Sequence, residues 1–237
     1  MSKHLDYYLH AYARGVDKRL IFLDDHDRVR FLLALTLSIR PQSPSMSVFI
    51  EQIDKGHLTP EDFTLLALNK RYGKPILNIL SAILMPNHFH LHLQLPAPRI
   101  NTHVFRRLIG SYTKYFNTRH QREGRLMSST VKTVIIMSDP QNLHLSGYIH
   151  SNPVKSSKTN INPLHLVNYL WSTYPQYLGK PAPFTFKPGF TFDTSYFCNP
   201  QPILGEFSSP ESYGNFVLSQ TNTNEVLNPK ELIDQSE

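Results

Sequence analysis

The chain has 237 residues, enough for one large domain or for one domain with a substantial extension. Its 24 basic and 18 acidic residues give a formal charge of +6, a balance that suits a polyanionic partner without demanding one. The single cysteine, Cys198, excludes an internal disulfide and a cysteine-built zinc knuckle, and it fits a reducing compartment.

Residues 1–6 lack the apolar run of a signal peptide, and no apolar stretch is long enough to span a bilayer. A soluble, cytoplasmic protein without a membrane partner is expected. Tyr7 to Ala13 is short and aromatic and ends at Arg14-Gly15, which predicts a first strand. Asp24 and Asp25 precede the apolar-rich Arg28–Leu35 segment, where they can cap a helix that Pro41 then stops. Within 41–75, Thr59-Pro60-Glu61-Asp62 predicts a short helix over Pro60–Asn69. Ile76 to Leu84 has strand character and turns through Met85-Pro86-Asn87 into a second strand.

That second strand, from His88 to Leu95, alternates without a break. His88, His90, His92 and Gln94 point one way, and Phe89, Leu91, Leu93 and Leu95 the other. Two histidines at i, i+2 on one strand face can grip a divalent ion, since neutral imidazole suits Mn, Zn, Fe or Ni. A strand with incidental surface histidines has the same pattern, so the pair alone does not decide.

Val104 to Arg119 follows with Val104, Leu108, Tyr112, Tyr115 and Phe116 on one helical face and basic residues around the rest. Val131 to Met137 predicts another strand. Ser138-Asp139-Pro140-Gln141 has the spacing of a capping box, and the helix it starts is expected to end at Asn152, before Pro153. The order gives β-α-β-β-α-β, an α+β ferredoxin-like split arrangement. Its antiparallel sheet is expected to have helices on one face, a further helix following it, and an open histidine face. Residues 1–178 form the expected domain, with an insertion at about 41–75. Residues 179–237 are rich in Pro, Ser, Asn and Thr and read as an extension partly ordered by Phe184, Phe190 and Phe197.

In the helix after Pro140, Tyr148 and Asn152 are four apart and share a face, with His144 one turn earlier on that face. Tyr148 can serve as a phenolic nucleophile and Asn152 as an amide ligand. Taken alone, the helix favours ring packing for Tyr148 and a C-cap for Asn152.

Five segments in this order resemble the single-tyrosine HUH transposases, in particular the REP-associated tyrosine transposases. They are Ile21–Leu32 (IFLDDHDRVRFL), Leu84–Leu91 (LMPNHFHL), Tyr112–Asn117 (YTKYFN), Tyr148–Lys155 (YIHSNPVK) and Trp171–Tyr174 (WSTY). Together they span roughly residues 7–178. The resemblance implies that His88 and His90 bind Mg2+ or Mn2+, that Asn152 is the third ligand and that Tyr148 is the nucleophile. It implies a DNA-nicking and strand-transfer enzyme for single-stranded DNA beside a hairpin, working through a 5′-phosphotyrosine linkage and a free 3′-OH. It also implies a monomer, with a homodimer as the alternative.

The chain departs from that family at Ser128–Lys132, where a Gly-Arg-Phe/Tyr-Lys type segment is usual and only Lys132 remains. It departs again at Gly147, at Ser151, and in carrying the extra His92. The alternative function is a catalytically silent nucleic-acid-binding protein on the same fold. A hydrolase that activates water with the histidine row is a further rival. Arg106, Arg107, Lys114, Arg119, Lys132 and Lys155 are the candidate phosphate contacts, and Tyr12, Tyr112 and Tyr115 the candidate base-stacking rings.

Overall fold

Strand β3 (His88–Leu95) lies between β1 (Tyr7–Arg14) and β2 (Asn78–Met85), and β4 (Lys132–Ile136) extends the sheet beyond β1. The order is β2-β3-β1-β4, and every neighbouring pair runs antiparallel. The architecture is mixed α+β around this four-stranded sheet. The computed structural model describes residues 7–56, 72–97, 102–156, 159, 161–180, 184–187, 190–192 and 198–222. The helix expected over Pro60–Asn69, and Phe197, lie outside them.

Alternation fixes the two faces. Leu9, Ala11 and Ala13 of β1 and Phe89, Leu91 and Leu93 of β3 are buried on the back face. Helices α1 (Asp25–Ser38) and α3 (Thr102–Arg119) supply Phe31, Leu35, Leu108 and Tyr112 to the same core. Helix α1 starts where the acidic pair predicts it. The Asp24 carboxylate caps it by accepting the Asp27 N–H at 3.1 Å. Asp27 is fully buried, and it accepts from Leu23 N at 2.9 Å, Tyr115 Oη at 3.1 Å and Arg119 Nη1 at 2.7 Å. Arg119 also reaches Asp24 at 2.6 Å and holds that carboxyl down to about 2. A short helix α2 (Met46–Asp54) lies within the predicted insertion.

The front face is where expectation and structure part. The histidine face was expected to be open; instead helix α4 (Asp139–Lys155) lies across it. Leu145 and Ile149 of α4 form a second core with Ile83 and Met85 of β2, Ile136 of β4 and Tyr169. The cause is legible in β2, whose residues are apolar on both faces, as in a strand covered on both sides. His88, His90 and His92 are consequently only 8, 5 and 0 % exposed.

Helix α4 begins as the sequence predicts, with Ser138 Oγ accepting from Gln141 N at 3.4 Å and Gln141 Oε1 accepting from Met137 N at 3.0 Å. It does not stop before Pro153 but runs to Lys155. A proline this close to the end removes only one helical N–H, the one that would serve the carbonyl of Ile149, and the last turn survives.

The chain after α4 closes on β2. Leu84 N donates to Trp171 O at 2.8 Å and Thr173 N to Ala82 O at 3.0 Å, and a short helix α5 (Tyr174–Tyr177) follows. Strands β5 (Phe184–Lys187) and β6 (Phe190–Phe192) make a two-stranded ribbon, so Phe184 and Phe190 fall in regular structure. After helix α6 (Gln201–Leu204), helix α7 (Pro210–Asn222) packs on α4. Its fully buried Tyr213 meets His150 Nδ1 at 2.6 Å, and His150 Nε2 meets Thr173 Oγ1 at 2.8 Å. Gly147 marks the crossing, because a Cβ there would come within 2.8 Å of Phe216 Cε1. The glycine therefore admits α7.

Replacing Tyr213 with Phe strips the partner from a buried imidazole nitrogen at nearly constant volume. It should lower stability by about 1–3 kcal/mol, measured as a shift in urea midpoint with unchanged slope.

Candidate active site under helix α4

Strand register brings the front-face residues into rows. Tyr12 lies opposite His90, Arg14 opposite His88, His10 opposite His92, and Lys132 opposite Tyr12. The α4 side facing them carries Asn142, Tyr148 and Asn152. Asn152 Oδ1 lies 3.2 Å from His88 Nε2, and Tyr148 stands edge-on to His90 with ring centroids 5.5 Å apart. The structure thus brings together the four residues that the sequence singled out: His88, His90, Tyr148 and Asn152.

The hydrogen bonds fix the chemistry of these groups. Asn87 Nδ2 donates to Lys18 O at 3.2 Å, which turns its Oδ1 toward His88 Nδ1 at 2.8 Å. His88 Nδ1 therefore carries the proton, and its Nε2 presents a lone pair. Asn152 Oδ1 points at His88, and the Asn152 amide favours the Tyr148 phenolate. Two acceptors, Nε2 and Oδ1, then face one another with no proton between them. Apposed lone pairs of this kind suit a cation. His90 Nδ1 is 2.8 Å from His10 Nε2, and the two rings stack with centroids 5.0 Å apart. That contact occupies Nδ1 of His90 and leaves its Nε2.

Burial sets the charges. It pulls His88 down to about 4, with nearby Arg14 adding to the effect, and takes His90 well below the usual imidazole range. Burial also lowers His10 to about 4. All three imidazoles are neutral at pH 7, the form that binds metal. Burial raises Tyr148, while the Asn152 amide and the Arg14 guanidinium partly offset it.

Among the described residues, no three His, Cys, Asp or Glu side chains are grouped to hold a metal. Two imidazole nitrogens and one carboxamide oxygen, from His88, His90 and Asn152, are the groups here that could hold one. Mixed N and O donors fit Mn2+ well and Mg2+ when oxygen ligands complete the shell.

Sequence reasoning missed His10, Arg14, Asn87 and Asn142. The signal was present in β1, where Tyr8, His10, Tyr12 and Arg14 alternate with Leu9, Ala11 and Ala13. His92, the extra imidazole, lies farther along β3 and bonds Asn142 Oδ1 at 2.6 Å. His144, one turn before Tyr148, is exposed, and its ring lies 6.3 Å from Phe216 of α7.

The six candidate phosphate contacts divide between the faces. Lys132 and Lys155 are exposed on the front side, on β4 and at the end of α4. Arg106, Arg107, Lys114 and Arg119 belong to α3, behind the sheet. Arg107 donates to the carbonyls of Arg40, Ser43 and Pro44, and Arg119 is held by Asp24 and Asp27, so both guanidiniums already have partners within the chain. Of the suggested stacking rings, Tyr112 is buried in the back core and bonds Ile21 O, while Tyr12 stacks within the site at 4.9 Å from His10.

No family profile matches the chain, and no protein of curated function is similar to it. Among solved structures, a REP-associated tyrosine transposase bound to a REP hairpin aligns over 76 % of this chain and 84 % of its own, with 11 % identity and a TM-score of 0.45.

His92 and His150 are both fully buried and held at about 3 by burial. Unfolding frees them to take up protons near their ordinary value of 6.5, so below that pH the unfolded state binds more protons. Their contribution to stability is complete above about 6.5 and is lost as pH falls toward about 3. Urea midpoints of the metal-free chain should be flat above neutrality and fall steeply between these limits. A His150→Gln variant should show a shallower fall.

Proposed function

We propose that the chain is a metal-dependent single-stranded DNA endonuclease and strand transferase that uses Tyr148 as nucleophile and acts beside DNA hairpins. One observation carries the reading: a phenol, a carboxamide and two neutral imidazoles from separate elements converge under α4, with two lone pairs apposed at 3.2 Å. The strand order and all-antiparallel pairing support the ferredoxin-like reading of the β-α-β-β-α-β core.

His88, His90 and Asn152 are the residues that would hold the divalent cation, Mg2+ or Mn2+. When bound, such a cation supplies charge neutralisation to a phosphate oxygen and so helps orient the scissile group.

The chain's own residues do the rest. The Tyr148 oxygen forms a bond to phosphorus while the bond to the 3′ oxygen breaks. The phenol gives up its proton and the departing 3′ oxygen takes one up, so the step is proton-neutral. The product is a 5′-phosphotyrosine linkage with a free 3′-OH, and attack by that or another 3′-OH reverses it without ATP. Arg14 and the Asn152 amide favour the phenolate that burial opposes. Arg14, Lys132 and Lys155 contact the DNA backbone on this face, supplying affinity and salt dependence but not sequence choice. Tyrosine and histidines come from one chain, so the site needs no second subunit, in keeping with a monomer.

Wild-type protein with Mn2+ should form a covalent adduct with a hairpin-flanked single strand, visible as a shifted band in denaturing gels. Tyr148→Phe should form none. If the wild type also forms none, the chain is the silent binder; if Tyr148→Phe still cleaves, it is a hydrolase. Because the phenol must ionise, the adduct should form faster as pH rises from 7 to 9.

His10 orients His90 through the 2.8 Å contact between them. His10→Phe keeps the stacked ring and removes the nitrogen, and it should weaken Mn2+ binding by roughly 10–100-fold in calorimetric titration.

A further inference from the structure

Behind the sheet, α1, α2 and α3 enclose a cavity of about 460 Å3 that the Tyr148 chemistry does not use. A second hollow of about 410 Å3 shares Arg30, Tyr115 and Arg119 with it, so the two form one extended groove. Among the described residues, Arg30, Arg107, Lys114 and Arg119 line the cavity, and no Asp or Glu does.

Among the described residues only one of these four charges is matched. Arg119 is paired with Asp24 and Asp27. Arg107 donates to neutral oxygens of residues 40–44, so its charge has no carboxylate against it. Lys114 is exposed and enters no ion pair among the described residues. Arg30 lies over the Tyr115 ring at 5.1 Å, and its Nη1 is buried with no hydrogen-bond partner among the described residues. Burial lowers Arg30 to about 10, which leaves it charged at neutral pH. A half-buried guanidinium with an unused donor, near two further unmatched cations, is costly unless an anion completes it.

The rest of the lining indicates which anion. Ala34, Leu37, Met46 and Tyr115 give an apolar floor. Ser45, Met46 and Ser47, at the start of the nine-residue α2, turn the positive end of that helix toward the cavity. Positive charge above an apolar, aromatic floor matches a phosphate joined to a flat organic group.

We propose that this groove binds the phosphate of a nucleotide, free or within a strand, with Arg30 and Lys114 on the phosphate and the base or sugar over Tyr115. The site lies across the sheet from the histidines and stands or falls independently of the cleavage reading.

The test is calorimetric titration at fixed ionic strength with inorganic phosphate, thymidine 5′-monophosphate and a short oligothymidylate. The proteins are wild type, Arg30→Gln, Lys114→Gln and Tyr148→Phe. Wild type should bind at least one nucleotide ligand saturably. Arg30→Gln and Lys114→Gln should each weaken that binding by roughly tenfold, the scale of one lost charge-assisted hydrogen bond. Tyr148→Phe should leave it unchanged. Equal binding of monophosphate and oligonucleotide identifies a free nucleotide. Arg30-dependent binding of the oligonucleotide alone identifies a strand. Lys114 is exposed, so its variant reports on the groove without disturbing the fold. The proposal is overturned if neither nucleotide ligand binds saturably. It is also overturned if both variants bind as wild type does, or if inorganic phosphate alone binds and does so without regard to Arg30, which is an adventitious ion only.

Discussion

Every feature of the front face depends on keeping imidazoles uncharged by burying them. An ionised imidazole under α4 would have to give up its hydration to a wall of Ile83, Met85, Leu145 and Ile149. The fold resolves this by giving the rings neutral partners: Asn87 for His88, Asn142 for His92, Thr173 and Tyr213 for His150. Carboxamides and hydroxyls can meet either ring tautomer without supplying a charge. The same choice leaves the rings neutral, the form able to ligate a metal, so core stability and the proposed site chemistry follow from one decision about protonation.

Much of this was visible in the amino-acid order. The alternation in His88–Leu95 fixed which residues share a face, and the Asp24 and Ser138 caps fixed where α1 and α4 begin. The burial of the histidine face was harder to read. It needed β2 to be weighed as a strand covered on both sides, and α4 to be seen as amphipathic with asparagines set among its apolar positions. The end of α4 was misplaced because a proline is a strong stop signal in sequence, yet in the last turn it costs a single hydrogen bond. The partners of Arg107 and Arg119 were invisible for a different reason. They are carbonyls and carboxylates far off in the chain, and charge counting along one helix cannot see them.

The two faces of the sheet divide the labour. The back core, with Phe31, Phe89, Leu91 and Tyr112, is apolar at its centre and tied at its rim by Asp27, which locks α1 to α3. The front core is smaller and rich in polar groups. A polar core specifies geometry closely, because a shifted helix would leave several donors and acceptors unmet at once.

The latch between Tyr213 and His150 joins the helix that roofs the histidines to a segment more than sixty positions later in the chain. During synthesis on the ribosome, α4 leaves the exit tunnel well before the helix that secures it. The roof is therefore assembled before it is fastened, and the nascent chain passes through a stage in which Tyr148 is present but its final alignment is not.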